Sequence, residues 1–154
     1  VVTIAADSDA DSVDAIHHDI KGSLGGKLEY TKVDANDKWF YTTTKSVTAT
    51  SGDLIPDGST ATEGGSLTYP DDIRFLFLKN TGTTDGTTST SSKVYLCLDG
   101  GDAASVSDVI EIGPGEAINL KFKASGGVDQ ANLHAASSSG TVRCIVAAII
   151  DDGG

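Results

Sequence analysis

Two stretches of this chain, "IRFLFLKN" (73 to 80) and "TVRCIVAAII" (141 to 150), are apolar on both sides of an extended backbone. Successive side chains of a strand point to opposite faces. In the first stretch Ile73, Phe75 and Phe77 therefore face one way and Leu76 and Leu78 the other. In the second, Cys144, Val146 and Ile150 lie opposite Ile145, Ala147 and Ile149. Such strands must be covered on both faces, whereas a packed partner sheet covers only one. A fold for this chain has to supply a second cover.

The rest of the sequence says what kind of fold that is. Further strands are expected near "KLEYTKV" (27 to 33), "KWFYTTT" (38 to 44), "SVTAT" (46 to 50), "KVYLCLD" (93 to 99), "DVIEIG" (108 to 113) and "EAINLKFKA" (116 to 124), with a weaker piece at "ANLHA". Breaks rich in Gly, Ser, Thr and Asp separate them, among them "SGDLIPDGST", "TGTTDGTTSTSS", "DGGDAAS" and "GPG". Eight or nine short strands point to an all-β protein, an antiparallel β-sandwich of jelly-roll-like form. An immunoglobulin-like sandwich is second, because Trp39 precedes both cysteines instead of standing between them. With 154 residues the chain is long enough for one proper core, and the low apolar share of 38% reflects polar turns between short strands. In "VIEIGPGEAINLKF" the alternation predicts a hairpin, with Ile110, Ile112, Ile118, Leu120 and Phe122 on its dry face and Glu111, Asn119 and Lys121 on its wet one.

Only the N-terminal region has a helical period. Val13, Ile16, Ile20 and Leu24 fall at helix spacing, Asp11 is placed to cap, Lys21 sits in the last turn and Gly22 follows. The spacing predicts a short amphipathic helix over about residues 12 to 21, so the chain divides into an acidic arm with its helix (1 to 26) and a sandwich domain (27 to 154). The second cover for the two-sided strands is then either this helix or a neighbouring subunit, and both stay open.

"DSDADSVDAIHHD" (7 to 19) invites a metal reading. Asp7, Asp9 and Asp11 match the first three positions of a calcium loop, but Ser12 stands where the turn demands Gly and His18 where a bidentate Glu is needed. His17 and His18, being adjacent, diverge on a helix and do not grip one zinc ion; Asp14 with His18 is an ordinary surface pair. The plainer reading is an acidic arm ending in helix caps. No metal and no cofactor is expected.

Charge excludes other classes. A net charge of −11 opposes nucleic-acid backbones and anionic membrane surfaces, and no apolar stretch approaches a membrane span. No signal-peptide pattern is present; a trimmed initiator Met and a removed leader both fit a chain that begins at Val and lacks Met. Cys97 and Cys144 sit in apolar runs without CxxC spacing and read as buried thiols, although a bridge stays open. No GxSxG elbow and no phosphate loop occurs. A hydrolase would have to use His134, which lies near several serines in "HAASSSG", or some of the many Asp side chains. The expectation is that the chain is not an enzyme. Two features suit contact with a ligand. The long "TGTTDGTTSTSS" loop (81 to 92) is either a mobile solvated connection or a displayed tip that touches a partner or carbohydrate. Trp39, Phe40 and Tyr41 offer either core and interface packing or a sugar-stacking platform.

"FLFLKNTGTTDGTT", "VYLCLDGG", "IEIGPGEAINLKF" and "GTVRCIVAAII", spread over residues 70 to 150, together resemble small virion structural proteins of tailed bacteriophages, namely jelly-roll decoration, cement or head-fibre proteins. The resemblance implies a capsid decoration protein, made in the host cytoplasm, that binds the major capsid protein or other virion proteins and stabilises the assembled head. It also implies a homo-oligomer such as a trimer. Val13, Ile16, Ile20, Trp39, Leu76, Leu78, Ile145 and Ile149 are then the candidate partner-binding residues. The alternative is a tail or fibre appendage module that binds host-surface carbohydrate.

Overall fold

The computed structural model describes residues 15–19, 27–31, 37–62, 64–123 and 126–151. It divides the chain into two units, Val1–Ala35 and Asn36–Gly154.

In the first unit, β1 (Ala15–Asp19) pairs antiparallel with β2 (Lys27–Thr31), from Ala15 opposite Thr31 to Asp19 opposite Lys27. Of the helix expected over residues 12 to 21, the described part, Ala15–Asp19, is therefore a strand. Ile16 and Ile20 are four residues apart, a separation that fits a helical turn and an even strand step equally well. β-branched Ile favours the strand once a partner is at hand. Lys27–Thr31, assigned on sequence to the sandwich, pairs here instead.

The second unit is a β-sandwich of two antiparallel sheets. The larger runs β3 (Asp37–Thr48), β11 (Thr141–Asp151), β5 (Asp72–Asn80), β8 (Ala117–Lys121), with β9 (Val128–Asp129) pairing beside the start of β5. The smaller runs β4 (Gly52–Asp53), β10 (His134–Ser137), β6 (Val94–Cys97), β7 (Ile110–Ile112). A 3₁₀ turn, Gln130–Asn132, leads into β10. The core lies between the sheets: Leu76, Leu78, Val146 and Ala148 of the larger meet Val94, Leu96, Ile112 and Ala135 of the smaller.

The two-sided strands β5 and β11 sit at the centre of the larger sheet. Ile73 joins Leu76 and Leu78 in the core, although it lies three positions, an odd step, before Leu76. The register explains this: Ile149 opposes Phe75 but Ile150 opposes Ile73, so Arg74 is an extra residue that shifts the alternation by one. Sequence alternation alone had put Ile73 with Phe75 and Phe77. On the opposite face Phe75, Phe77, Ala147, Ile149 and Trp39 are also buried, within the single chain. Tyr41, 48% exposed, is the one large apolar side chain left open among the described residues.

The expected "GPG" hairpin is a corner instead. β7 pairs with β6 in the smaller sheet and β8 with β5 in the larger. Alternation reveals which side of a strand is dry, and both these strands do turn Ile112, Ile118 and Leu120 toward the core; it carries no record of the pairing partner. Asn80, fully buried, fastens the corner. Its Nδ2 donates to the carbonyls of Ser92 (2.9 Å) and Ile112 (3.2 Å), and its backbone exchanges bonds with Glu116 and Gly115. Asn119 departs from the wet-face expectation as well, because its Oδ1 is buried and accepts no hydrogen bond.

Among the described residues β3 is the outer strand of the larger sheet, and its outer edge is interrupted. The pairing with β11 slips between Cys144 and Val146, opposite a bulge at Thr43 and Thr44. The Trp39 carbonyl is taken by Thr62 N–H (2.7 Å), and the Thr43 carbonyl by Arg143 Nε (2.8 Å).

Candidate functional site

Two neighbourhoods gather polar side chains. The first crosses the smaller sheet, where β4, β10 and β6 place Asp53, His134 and Cys97 in one row. His134 Nε2 lies 3.2 Å from Asp53 Oδ1, and its Nδ1 lies 2.9 Å from the Gly101 carbonyl. The Asp53 carboxylate also accepts the Tyr69 hydroxyl (2.8 Å), and its backbone carbonyl accepts Lys45 Nζ (2.7 Å). Burial, with the Asp53 bond second, pushes the Tyr69 phenol up to about 12, while burial lowers the Lys45 amine. A cavity of about 120 Å³ beside Lys45 is lined by Val47, Thr48, Asp53 and Ala135.

Cysteine, histidine and aspartate in a row suggest a nucleophilic triad, but the geometry is wrong for one. Both ring nitrogens of His134 face oxygens, of Asp53 and Gly101, so neither is placed to serve the thiol. Cys97 is 1% exposed, and its Sγ donates to Asp99 Oδ1 (2.8 Å). Burial first and that bond second raise its pKa, the reverse of an activated thiolate. Cys144 is held in the core, where burial pushes it up to about 12. Both cysteines are free thiols. The row works as a clasp joining the β4 edge, β10 and the loop after β6.

The second neighbourhood is the loop of residues 81 to 92, which is closed by its own hydrogen bonds. Its base continues the larger sheet: Thr81 N–H donates to the Arg143 carbonyl (3.1 Å) and Arg143 N–H to the Thr83 carbonyl (2.8 Å). Thr83 bridges Ser89, and Thr90 N–H closes on the Gly82 carbonyl (2.9 Å). At the turn, Asp85 Oδ1 accepts the amides of Thr87 (2.8 Å) and Thr88 (2.7 Å) and the Thr87 hydroxyl (2.9 Å), while Oδ2 accepts the Thr88 hydroxyl (3.0 Å). The amides of Thr88 and Thr87 lead in holding the Asp85 carboxyl far below the usual carboxylate range.

Arg143 ties this tip to β3. Its Nη1 donates to the Asp85 carbonyl (2.6 Å) and its Nε to the Thr43 carbonyl (2.8 Å). Gly86 is required where it stands: its φ is +101°, and a Cβ there would collide with the Arg143 guanidinium. The result is one exposed surface running from Tyr41 and Thr43, past Arg143, to Asp85, Thr87, Thr88 and Ser89. The loop and the aromatic run, nominated separately on sequence, meet here through Tyr41 alone, because Trp39 is buried and Phe40 belongs to the core.

The partner-binding candidates scatter. Leu76 and Leu78 are fully buried between the sheets, Ile149 and Trp39 are buried on the opposite face, and Ile145 is half-buried. They do not form one surface, because neighbouring positions of β5 and β11 alternate faces. Val13 and Ile20 lie outside the described residues, as do Asp7, Asp9, Asp11, Ser12 and Asp14; the side chains of Ile16, His17 and His18 in β1 are likewise outside them. Among the described residues no group of three His, Cys, Asp or Glu side chains is placed to hold a metal ion, and no helix is long and apolar enough to cross a membrane. Asp53, Tyr69, Asp85 and Arg143 were not singled out on sequence. "DG" at residues 85 and 86 is a turn signal that points to Asp85; nothing local marks the others. The chain matches no protein-family model, no curated protein and no solved structure with which it was compared.

Proposed function

We propose that this chain is a virion structural protein built on a jelly roll, a decoration or cement subunit that binds an assembled phage head and resists its disassembly. The observation that carries the reading is strand order. Counting β3 to β8, β10 and β11 as strands one to eight, the larger sheet runs 1-8-3-6 and the smaller 2-7-4-5. That order supports a winding of successive strands around both sheets as two Greek keys, as in the double-sheet jelly rolls used by viral capsid and lectin domains. The likeness of residues 70 to 150 to virion proteins supports the capsid side of that pair. A subunit of this type stabilises the head because it binds the assembled state in preference to the free parts. Its net charge of −11 keeps free copies apart in solution. Docking falls to the N-terminal unit with Val13, Ile16 and Ile20, since Leu76, Leu78, Trp39 and Ile149 are already enclosed. Like copies and the major capsid protein are the partners. Imaging undecorated heads after mixing with the protein should show regularly spaced added density; bare heads at saturating protein rule the reading out.

A second reading has its own observation. Arg143 ties a hydroxyl-rich tip to the Thr43 carbonyl, two residues along β3 from the exposed Tyr41, which suits an appendage module that binds host-surface carbohydrate. A glycan array separates the two: a Tyr41-dependent hit favours the appendage, and head binding without any hit favours the cement protein.

A further inference from the structure

The surface around Tyr41 carries enough chemistry to name the class of saccharide it takes, an inference that rests on the appendage reading. Three features define it. First, Tyr41 is the exposed aromatic on a sheet face whose other aromatics, Trp39, Phe75 and Phe77, are buried. An open ring on a rigid strand is what the apolar face of a pyranose stacks on. Second, the tip offers acceptors. Thr87 and Thr88 spend their hydroxyl hydrogens on the Asp85 carboxylate, so their oxygens keep only lone pairs for a ligand. A donor-rich polyol complements them. Third, the local charge is reversed. In a chain of net charge −11, Lys79 stands directly opposite Ile145 on the outer face of the sheet and has no ion-pair partner among the described residues. Arg143 spends its Nε and Nη1 on carbonyls, while the neighbouring Asp85 carboxylate is turned onto the amides and hydroxyls of Thr87 and Thr88. Tyr41 pairs with Ala147, two residues along β11 from Ile145. Tyr41 and Lys79 therefore flank the same strand, two strand spacings across and two residues along, roughly 12 Å apart, a span suited to a short oligosaccharide.

We propose that Tyr41, Lys79, Arg143 and the Thr87–Thr88 tip bind an acidic saccharide, with one ring stacked on Tyr41 and a sugar carboxylate facing Lys79. Polyhydroxyl character answers the acceptor-only tip, and the carboxylate answers the two cations. A neutral glycan satisfies the first and leaves the second unanswered.

The test uses the full chain on an array of matched neutral and carboxylate-bearing oligosaccharides, followed by calorimetric titration of the best pair. Carboxylate-bearing members should bind roughly ten-fold more tightly than their neutral matches. Lys79→Gln should erase that preference. Tyr41→Ala should weaken both roughly ten-fold, as for an anchor side chain. Because both side chains reach solvent, unchanged thermal melts check that the variants fold. Equal affinity for neutral and acidic partners, with Tyr41 dependence intact, overturns the acidic ligand and leaves the appendage reading standing. Binding of no saccharide overturns both.

Discussion

Each end of the larger sheet is held by one arginine, and the two are used in opposite ways. At the end where β3 and β5 begin, Asp37, Asp151, Asp72 and Asp129 stand in register across four neighbouring strands. Like charges directly opposite one another repel. Arg74, the extra residue of the β5 bulge, pairs with Asp151 in a largely enclosed site and also reaches the Lys123 carbonyl. At the other end Arg143 is half-exposed and bonds backbone carbonyls of Thr43 and Asp85. Arg74 offsets charge; Arg143 positions a loop. The contrast separates two contributions of the same residue type, one to whether the sandwich is stable and one to how its surface is arranged.

If the contrast is right, Arg74→Leu has the largest effect. Removing one partner of an enclosed ion pair costs about 3–5 kcal/mol, and here it leaves the aspartate row without that cation. Urea denaturation should show the loss, and an unchanged midpoint would break the comparison at its stronger end. Asn80→Ala comes next, at about 2–3 kcal/mol, because two carbonyls and the Gly82 amide lose a buried partner. Asn119→Asp should cost at least about 1 kcal/mol at neutral pH by the same measurement, since it places a carboxylate where an acceptor already lacks a donor. A silent substitution would mean that this position is wet. Arg143→Ala should change global stability by less than about 1 kcal/mol and yet abolish amide-exchange protection over residues 83 to 89. If it unfolds the domain, the two arginines do not differ in kind.

The smallest effect sharpens the same point. The Asp85 carboxyl is depressed by the amides it accepts, so its folded value lies below the unfolded one. Such a group contributes order that is complete above the ordinary aspartate value of about 3.9 and is lost as pH falls through the depressed one. Amide shifts of Thr87 and Thr88 should therefore hold steady on acidification past that value and move only in stronger acid. A transition at the ordinary value would show that the tip is not organised by this carboxylate.

Much of the sandwich was legible along the chain and little of its wiring was. Alternating and two-sided apolar runs announced the strands, and Gly-rich and Asp-rich breaks announced the turns, because both signals are local. The pairing of β7 and β8 with different sheets was not, since a dry face looks the same whichever neighbour it packs on. One extra residue at Arg74 reversed the face of Ile73, and nothing in "DIRFLF" marks it. The N-terminal helix failed because an apolar spacing of four residues fits both periods. The surface around Tyr41 was half legible: the loop and the aromatic run stood out by composition, but Arg143 joins them across 58 and 100 residues of sequence. Only the folded chain closes such distances.

The interrupted edge of β3 bears on what happens when many copies share a small space. A continuous bare strand invites another chain to extend it, and repetition of that event builds fibrils. Here the Trp39 and Thr43 carbonyls are already occupied and the bulge between them and Lys45 breaks the template. Crowded molecules meet through side chains instead, and contacts of that kind can be undone.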